Sequence, residues 1–188
     1  MDNKDFKPYI PAEKITPEIT ITSIVMGVLL AVIFGAANAY LGLRVGMTVS
    51  ASIPAAVIAM GVIRVIMRKN SILESNIVQT IGSAGESLAA GAIFTLPALF
   101  LWAAEGKGDK PGLWEITAIA LIGGLLGVFF MVPLRNALIV KEHGVLPYPE
   151  GTACSEVLLA GEEGGAKAST VFAGMGFAAF ATGETTVK

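Results

Sequence analysis

Cysteine and histidine are almost missing from this 188-residue chain, which has only Cys154 and His143. A single thiol excludes an internal disulfide, and one cysteine with one histidine gives no spacing typical of a zinc site. The net charge is −2 and no basic patch is present, which excludes the electrostatic surface that a nucleic-acid partner needs. We therefore expect no metal, no cofactor and no nucleic acid.

Charged residues are also scarce, at 15% of the chain against 54% hydrophobic residues, and the mean hydropathy is +0.70. Residues 23–43, 45–63 and 116–134 contain no charge at all, and each is close to the roughly 20 residues that cross a bilayer as a helix. Residues 77–104 carry one charge, Glu86. This pattern excludes an ordinary soluble domain and predicts an all-α, polytopic membrane helical bundle with four to five transmembrane helices.

A polar leader precedes the membrane unit. We expect a leader at residues 1–22 and one unit at 23–188, with spans at about 23–43, 45–67, 77–104 and 114–134 and a partial span at 168–182. Only Gly42–Arg44 separate the first two apolar runs, which predicts a tight antiparallel hairpin, and Pro54 should kink the second helix. The last run is too short to span, so the chain is expected to be a fragment of a larger protein.

Lysine and arginine are unevenly divided between the two sides that these spans define. Nine lie on the side of the leader, whereas the other side has Arg44, Lys107 and Lys110. Cytoplasmic loops carry the excess of basic residues. The N-terminus is therefore expected in the cytoplasm, with the chain crossing the plasma membrane several times and the loop Glu105–Gly112 facing outward.

The third predicted helix has a polar face inside the membrane. Polar side chains recur along it at helical spacing: Asn76, Gln79, Thr80, Ser83, Glu86 and Ser87. Such a face points to a water-filled path or a polar partner, not to lipid. Glu86 is the candidate for proton coupling, and the alternative is an interhelical hydrogen bond or a membrane-surface placement at a broken helix start, since Gly91 and Pro97 would allow a break in this helix. Gln79, Thr80, Ser83 and Ser87 would line the same substrate path, together with the lone amide Asn38 of the first helix.

Two further features concern short-range helix structure. Small residues recur every fourth position along the first helix, at Gly27, Ala31, Gly35 and Ala39, the spacing that lets membrane helices approach closely.

After the fourth span, Pro149 suits the first turn of a helix and Gly161 suits its C-terminal cap. That helix is too short to span, and it is either a re-entrant element beside a cavity or a cytoplasmic connector.

Three long motifs carry a family resemblance: NAYLGLRVGMTVSASIPAAV at 38–57, ESNIVQTIGSAGESLAAGAIFTLPAL at 74–99 and LPYPEGTACSEVL at 146–158. They resemble the N-terminal part of the oligopeptide transporter family, which includes prokaryotic members and the yellow-stripe-like transporters of plants. The resemblance implies a larger secondary transporter, driven by protons, that moves short peptides or metal chelates into the cytosol. Within that resemblance, Glu150, Gly151 and Thr152 are expected to form a gate or to contact substrate.

Enzymatic chemistry has no support in the sequence. The run Gly82–Ser87 lacks the lysine of a phosphate-binding loop, and Ser83 does not lie in a G-x-S-x-G motif. We expect the N-terminal part of a transporter whose partners are the lipid bilayer, its substrate, protons and further C-terminal helices. The alternative is a non-transporting membrane module, either a truncated product or a small subunit that binds a partner chain through the small-residue stripe.

Overall fold

Six α-helices make up most of the computed structural model, which describes residues 9–11, 13–68, 71–163 and 166–186. In chain order they are α1 (Ile21–Val45), α2 (Ser52–Gly61), α3 (Ile72–Ala104), α4 (Leu113–Arg135), α5 (Pro149–Glu163) and α6 (Ala166–Thr186). Two π-helical segments, Val62–Ile66 and Asn136–Lys141, extend α2 and α4. These described ranges contain no strand, and the all-α prediction is confirmed.

Three helices are long and apolar enough to cross a membrane: α1, α3, and α4 with its π-helical extension. Each corresponds to a predicted span. α3 is one helix through Pro97, although the sequence would have allowed a break there. α5 starts at Pro149 as expected and continues to Glu163, and α6 begins before and ends after the predicted 168–182 run.

The predicted second span, 45–67, is not one helix in the structure. α1 continues through Gly42 and Arg44 to Val45, and its C-cap is Gly46, whose φ of 73° lies in the left-handed region that favours glycine. Residues 46–51 are non-helical, and α2 begins only at Ser52. Pro54 therefore lies in the first turn of α2, where its missing N–H has no helical partner to lose. That position removes the reason for the expected kink.

α1 and α3 pack side by side, with small residues at their interface. A Cβ added to Gly27 would meet Ile81, and one added to Gly42 would meet Ile93. Residue numbers on both helices rise together along this interface, so the two helices run parallel. Gly35 lies against the backbone of α3 in the same way. The small-residue stripe of α1 is thus filled by another helix of the same chain.

α2 runs antiparallel to α3 and parallel to α5. Ser52, at the start of α2, contacts Ser83 in the middle of α3, whereas the end of α2 lies near the start of α3. α5 begins beside Ser50, which bonds to Glu150, and Gly161 near its end packs against Met60. The starts of α2 and α5 therefore lie together, level with the middle of α3.

The core lies between α1, α3 and α2 with its π-helical extension, where Leu30, Ala59, Ile63 and Val78 form a cluster of buried apolar side chains. α4 has no buried residue, and large apolar side chains such as Phe129 and Phe130 are exposed on it. So much exposed apolar surface is typical of membrane helices, which lipid or further helices cover.

Candidate functional site

A cavity of about 710 Å³ lies between the starts of α2 and α5, the first half of α3 and the leader. Its volume is in the range of small-molecule binding sites. Polar side chains from three helices and the loop before α2 line it, namely Ser50, Ser52, Asn76, Gln79, Ser83, Glu86, Ser87, Glu150, Cys154 and Ser155. The arrangement can accept and donate hydrogen bonds and can compensate a positive charge.

Glu86 lies on α3 next to the start of α2. Its side chain is buried, and Oε2 accepts a hydrogen bond of 3.2 Å from the backbone N–H of Ala51. Ala51 is the N-cap residue of α2 and provides no side-chain cap of its own. Glu86 therefore supplies a capping carboxyl oxygen from a different helix. A negative group is favourable at this position because a helix N-terminus carries the positive end of the helix dipole.

Glu150 lies in the first turn of α5 and bonds back to the segment before α2. Its Oε1 accepts a hydrogen bond from the Ser50 hydroxyl. Hydrogen bonding from Ser50 and then from Ser52 lowers the pKa of Glu150, against a smaller opposing effect of desolvation. The carboxyl is therefore ionised at neutral pH. Each of the two helix starts at the cavity thus has its own acidic side chain.

Hydroxyl, amide and thiol groups connect the three helices across the cavity wall. The hydroxyls of Ser52 and Ser83 are 2.8 Å apart, and Gln79 Nε2 donates to Cys154 Sγ over 3.8 Å. Burial raises the pKa of the Cys154 thiol, and the charge of Glu150 raises it further. Cys154 is therefore a protonated and slowly reacting thiol at neutral pH.

Most of the side chains predicted from sequence line this cavity, namely Gln79, Ser83, Glu86, Ser87, Glu150 and Gly151. Thr80 and Thr152 do not. The Thr80 hydroxyl donates to the Asn76 carbonyl within α3, and the Thr152 hydroxyl donates to the Tyr148 carbonyl at the start of α5. Both hydroxyls are exposed and bonded to their own helix, so the structure does not place them on the cavity wall.

Asn38 also lies outside the cavity, although it contacts the segment that leads into α2. Its side chain is buried, and Oδ1 accepts a hydrogen bond of 2.9 Å from the backbone N–H of Val49. Nδ2 has no partner among the residues that the structure describes. Asn38 thus holds the non-helical segment 46–51 against α1, which positions the start of α2 and only indirectly the cavity.

Sequence reasoning missed the contributions of Ser50, Ser52 and the leader residue Tyr9, all of which line the cavity. A local signal existed for the serines, because serine followed closely by proline before an apolar run is typical of a helix start. No feature of the sequence near Tyr9 indicates that this residue lies beside α5. Within the described part of the chain, no group of three or more His, Cys, Asp or Glu side chains could hold a metal ion.

Comparison with known proteins agrees with the geometry. The family model described as OPT oligopeptide transporter protein matches residues 18–186. A putative oligopeptide transporter of Haemophilus influenzae is 46% identical over 122 residues, which cover 65% of this chain and 18% of that protein. A probable metal-nicotianamine transporter of Arabidopsis thaliana, YSL8, is 26% identical over 159 residues, covering 75% of this chain and 22% of that protein. The chain thus spans about a fifth of the length of these relatives, and no solved structure matches it.

Proposed function

This chain belongs to the oligopeptide transporter family, and we propose that it forms the N-terminal part of a proton-coupled secondary transporter for oligopeptides or related metal chelates. Members of this family are transporters and not enzymes. The observation that carries the proposal is the cavity at which α2 and α5 both begin and into which polar side chains of three helices project. Secondary transporters bind substrates and coupling ions at such half-helix ends near the middle of the membrane.

The lengths and contacts of the helices support a position of the two helix starts near the middle of the membrane. α1 and α3 are long enough to span, and the starts of α2 and α5 lie level with the middle of α3. Non-helical backbone such as 46–51 is tolerated at this depth only where its polar groups are satisfied. Asn38 and Glu86 satisfy two of its N–H groups, those of Val49 and Ala51. We therefore favour a re-entrant α5 over a cytoplasmic connector.

Glu86 is the proposed proton-coupling residue. As a carboxylate it caps α2, and protonation would remove the charge that the helix dipole favours. A change in protonation would therefore change how firmly the start of α2 is held. Because Ser50 and Ser52 also bond to Glu150, a displacement of this start would be transmitted to α5.

Glu150 and Gly151 are the proposed substrate contacts on the opposite wall. An ionised carboxylate facing the cavity would compensate the ammonium group of a peptide or the positive charge of a metal chelate. Gln79, Ser83 and Ser87 would line the same path. The proposal includes a plasma-membrane location with the N-terminus in the cytoplasm, which the uneven distribution of lysine and arginine supports.

A non-transporting module remains the alternative, and it was expected to bind a partner chain through the stripe from Gly27 to Ala39. α3 of the same chain packs against that stripe at Gly27 and Gly35. A second chain would need a different face. No contact in the described residues favours the module over the transporter.

The test uses Glu86→Gln in the complete transporter, because glutamine keeps the shape of a protonated carboxyl. Expression should be preserved, and the stimulation of substrate uptake by an imposed pH gradient should be largely lost. The matched control is Glu74→Gln, since Glu74 is also a buried carboxyl of α3 but lies outside the cavity lining. Its uptake should keep the gradient dependence. Unchanged gradient dependence of the Glu86 variant would reduce this residue to a structural cap.

A further inference from the structure

Two residues of the leader lie at a mouth of the cavity. Tyr9 and Ile10 belong to the cavity lining, although the other lining residues begin at Ser50. Two polar contacts hold this part of the chain. The Ser71 hydroxyl, just before α3, donates to the Pro17 carbonyl over 3.3 Å, and the Tyr9 hydroxyl lies close enough to the side chain of Glu162, near the end of α5, that hydrogen bonding between them raises the pKa of Tyr9. The leader thus connects the start of α3 with the end of α5.

Glu162 connects this contact to the end of α2. It lines a second cavity, of about 20 Å³, together with Arg64 of the π-helical extension of α2. Glu162 Oε2 and Arg64 Nη1 are both buried and have no hydrogen-bond partner in the described ranges. Glu162 is therefore placed where the leader, α2 and α5 meet.

We propose that Tyr9 and Ile10, anchored at Pro17, form a latch over this mouth of the cavity, and that the bond from Tyr9 to Glu162 holds the latch closed. The role of this latch in substrate release rests on the proposed function, because there the mouth faces the cytoplasm and must open to release substrate. Tyr9 is 63% exposed, so the latch lies at the surface. It can open without disturbing the core between α1, α2 and α3.

Cys154 provides a direct probe of the latch. It is the only thiol of the chain, it lines the same cavity, and it is 6% exposed. A water-soluble maleimide must therefore enter the cavity to react with it. When opening is fast relative to the reaction, the labelling rate follows the population of the open state.

The experiment measures maleimide labelling of Cys154 in the purified 188-residue chain. Tyr9→Phe removes only the hydroxyl, and it should label about three- to tenfold faster, the effect of losing one hydrogen bond. Tyr40→Phe is the matched control, since Tyr40 lies on α1 outside the cavity lining, and its rate should equal that of the original chain. Glu162→Gln should label faster, and Glu156→Gln, on the exposed face of α5, should not.

A second variant, which lacks residues 1–10, separates the effect of the latch residues from the effect of the hydrogen bond between Tyr9 and Glu162. It should label at least as fast as Tyr9→Phe, with elution volume and helicity showing that the fold is kept. An unchanged labelling rate of Tyr9→Phe would show that the bond to Glu162 does not hold the latch closed. An unchanged labelling rate of the shortened chain would show that Tyr9 and Ile10 do not cover the mouth. Because the readout needs no transport, failure here is distinct from failure of the Glu86 test.

Discussion

Replacing Gly85 by alanine tests how closely α1 and α3 approach each other beside Glu86. A Cβ built on Gly85 would lie 2.6 Å from Cα and from Cβ of Ala31 on α1. Ordinary contacts between carbon atoms begin about 1 Å farther apart. The backbone of a helix cannot turn aside as a flexible side chain does, so the two helices must separate or shift.

The expected cost follows from two opposing effects. Forcing an extra carbon into a packed interface costs about 1–3 kcal/mol, whereas alanine gains up to about 1 kcal/mol over glycine in helix propensity. Gly85→Ala should therefore lower the free energy of unfolding by up to about 3 kcal/mol. Gly91→Ala on the same helix is the matched control, because no atom of the described residues lies within 4 Å of its added Cβ. It should be neutral or stabilising.

The assay follows helicity by circular dichroism while SDS is added to the chain in a mild detergent. We expect Gly85→Ala to unfold at a lower SDS fraction than the original chain, and Gly91→Ala to unfold at an equal or higher one. The order of the two variants does not depend on the absolute stability in either detergent. Equal midpoints for the two variants would refute the close contact between α1 and α3.

Three further predictions concern topology and transport. A reporter that is active only in the cytoplasm should be silent when fused at Gly108, and a strong signal there would overturn the assigned orientation. Under the proposed function the 188-residue chain supplies at most one side of an alternating-access transporter, so it should not carry a labelled peptide into liposomes by itself; saturable uptake would contradict this. In the complete transporter with other cysteines removed, substrate should slow the labelling of Cys154, and equal labelling with and without substrate would favour the connector role for α5.

Hydropathy alone predicted the three spanning helices, because a run without charge long enough to cross a bilayer has few other stable structures. It did not predict the break before α2. An apolar run has the same hydropathy whether its backbone is extended or helical. The partners that stabilise residues 46–51 are Asn38 and Glu86, and they come from two other helices.

The sequence predicted the part of the cavity wall that belongs to α3, because helical spacing relates residues only within one helix. Helical spacing placed Gln79, Ser83 and Glu86 on one face, and all three line the cavity. Thr80 lies one position from Gln79, and its hydroxyl bonds to its own helix instead. The contribution of Tyr9 could not be read from sequence, because it depends on a contact with Glu162 at the other end of the chain.

The capping role of Glu86 and its proposed role in proton coupling support each other. A negative group at a partly buried helix start stabilises by up to about 2 kcal/mol, and neutralising it would shift an equilibrium by roughly 30-fold. Moving a two-state equilibrium from almost wholly one state to almost wholly the other takes about 5.5 kcal/mol. Protonation of Glu86 alone therefore falls short, and a substrate cation at Glu150 would have to supply the remainder. A proton that cannot complete the transition without the substrate is what coupled transport requires.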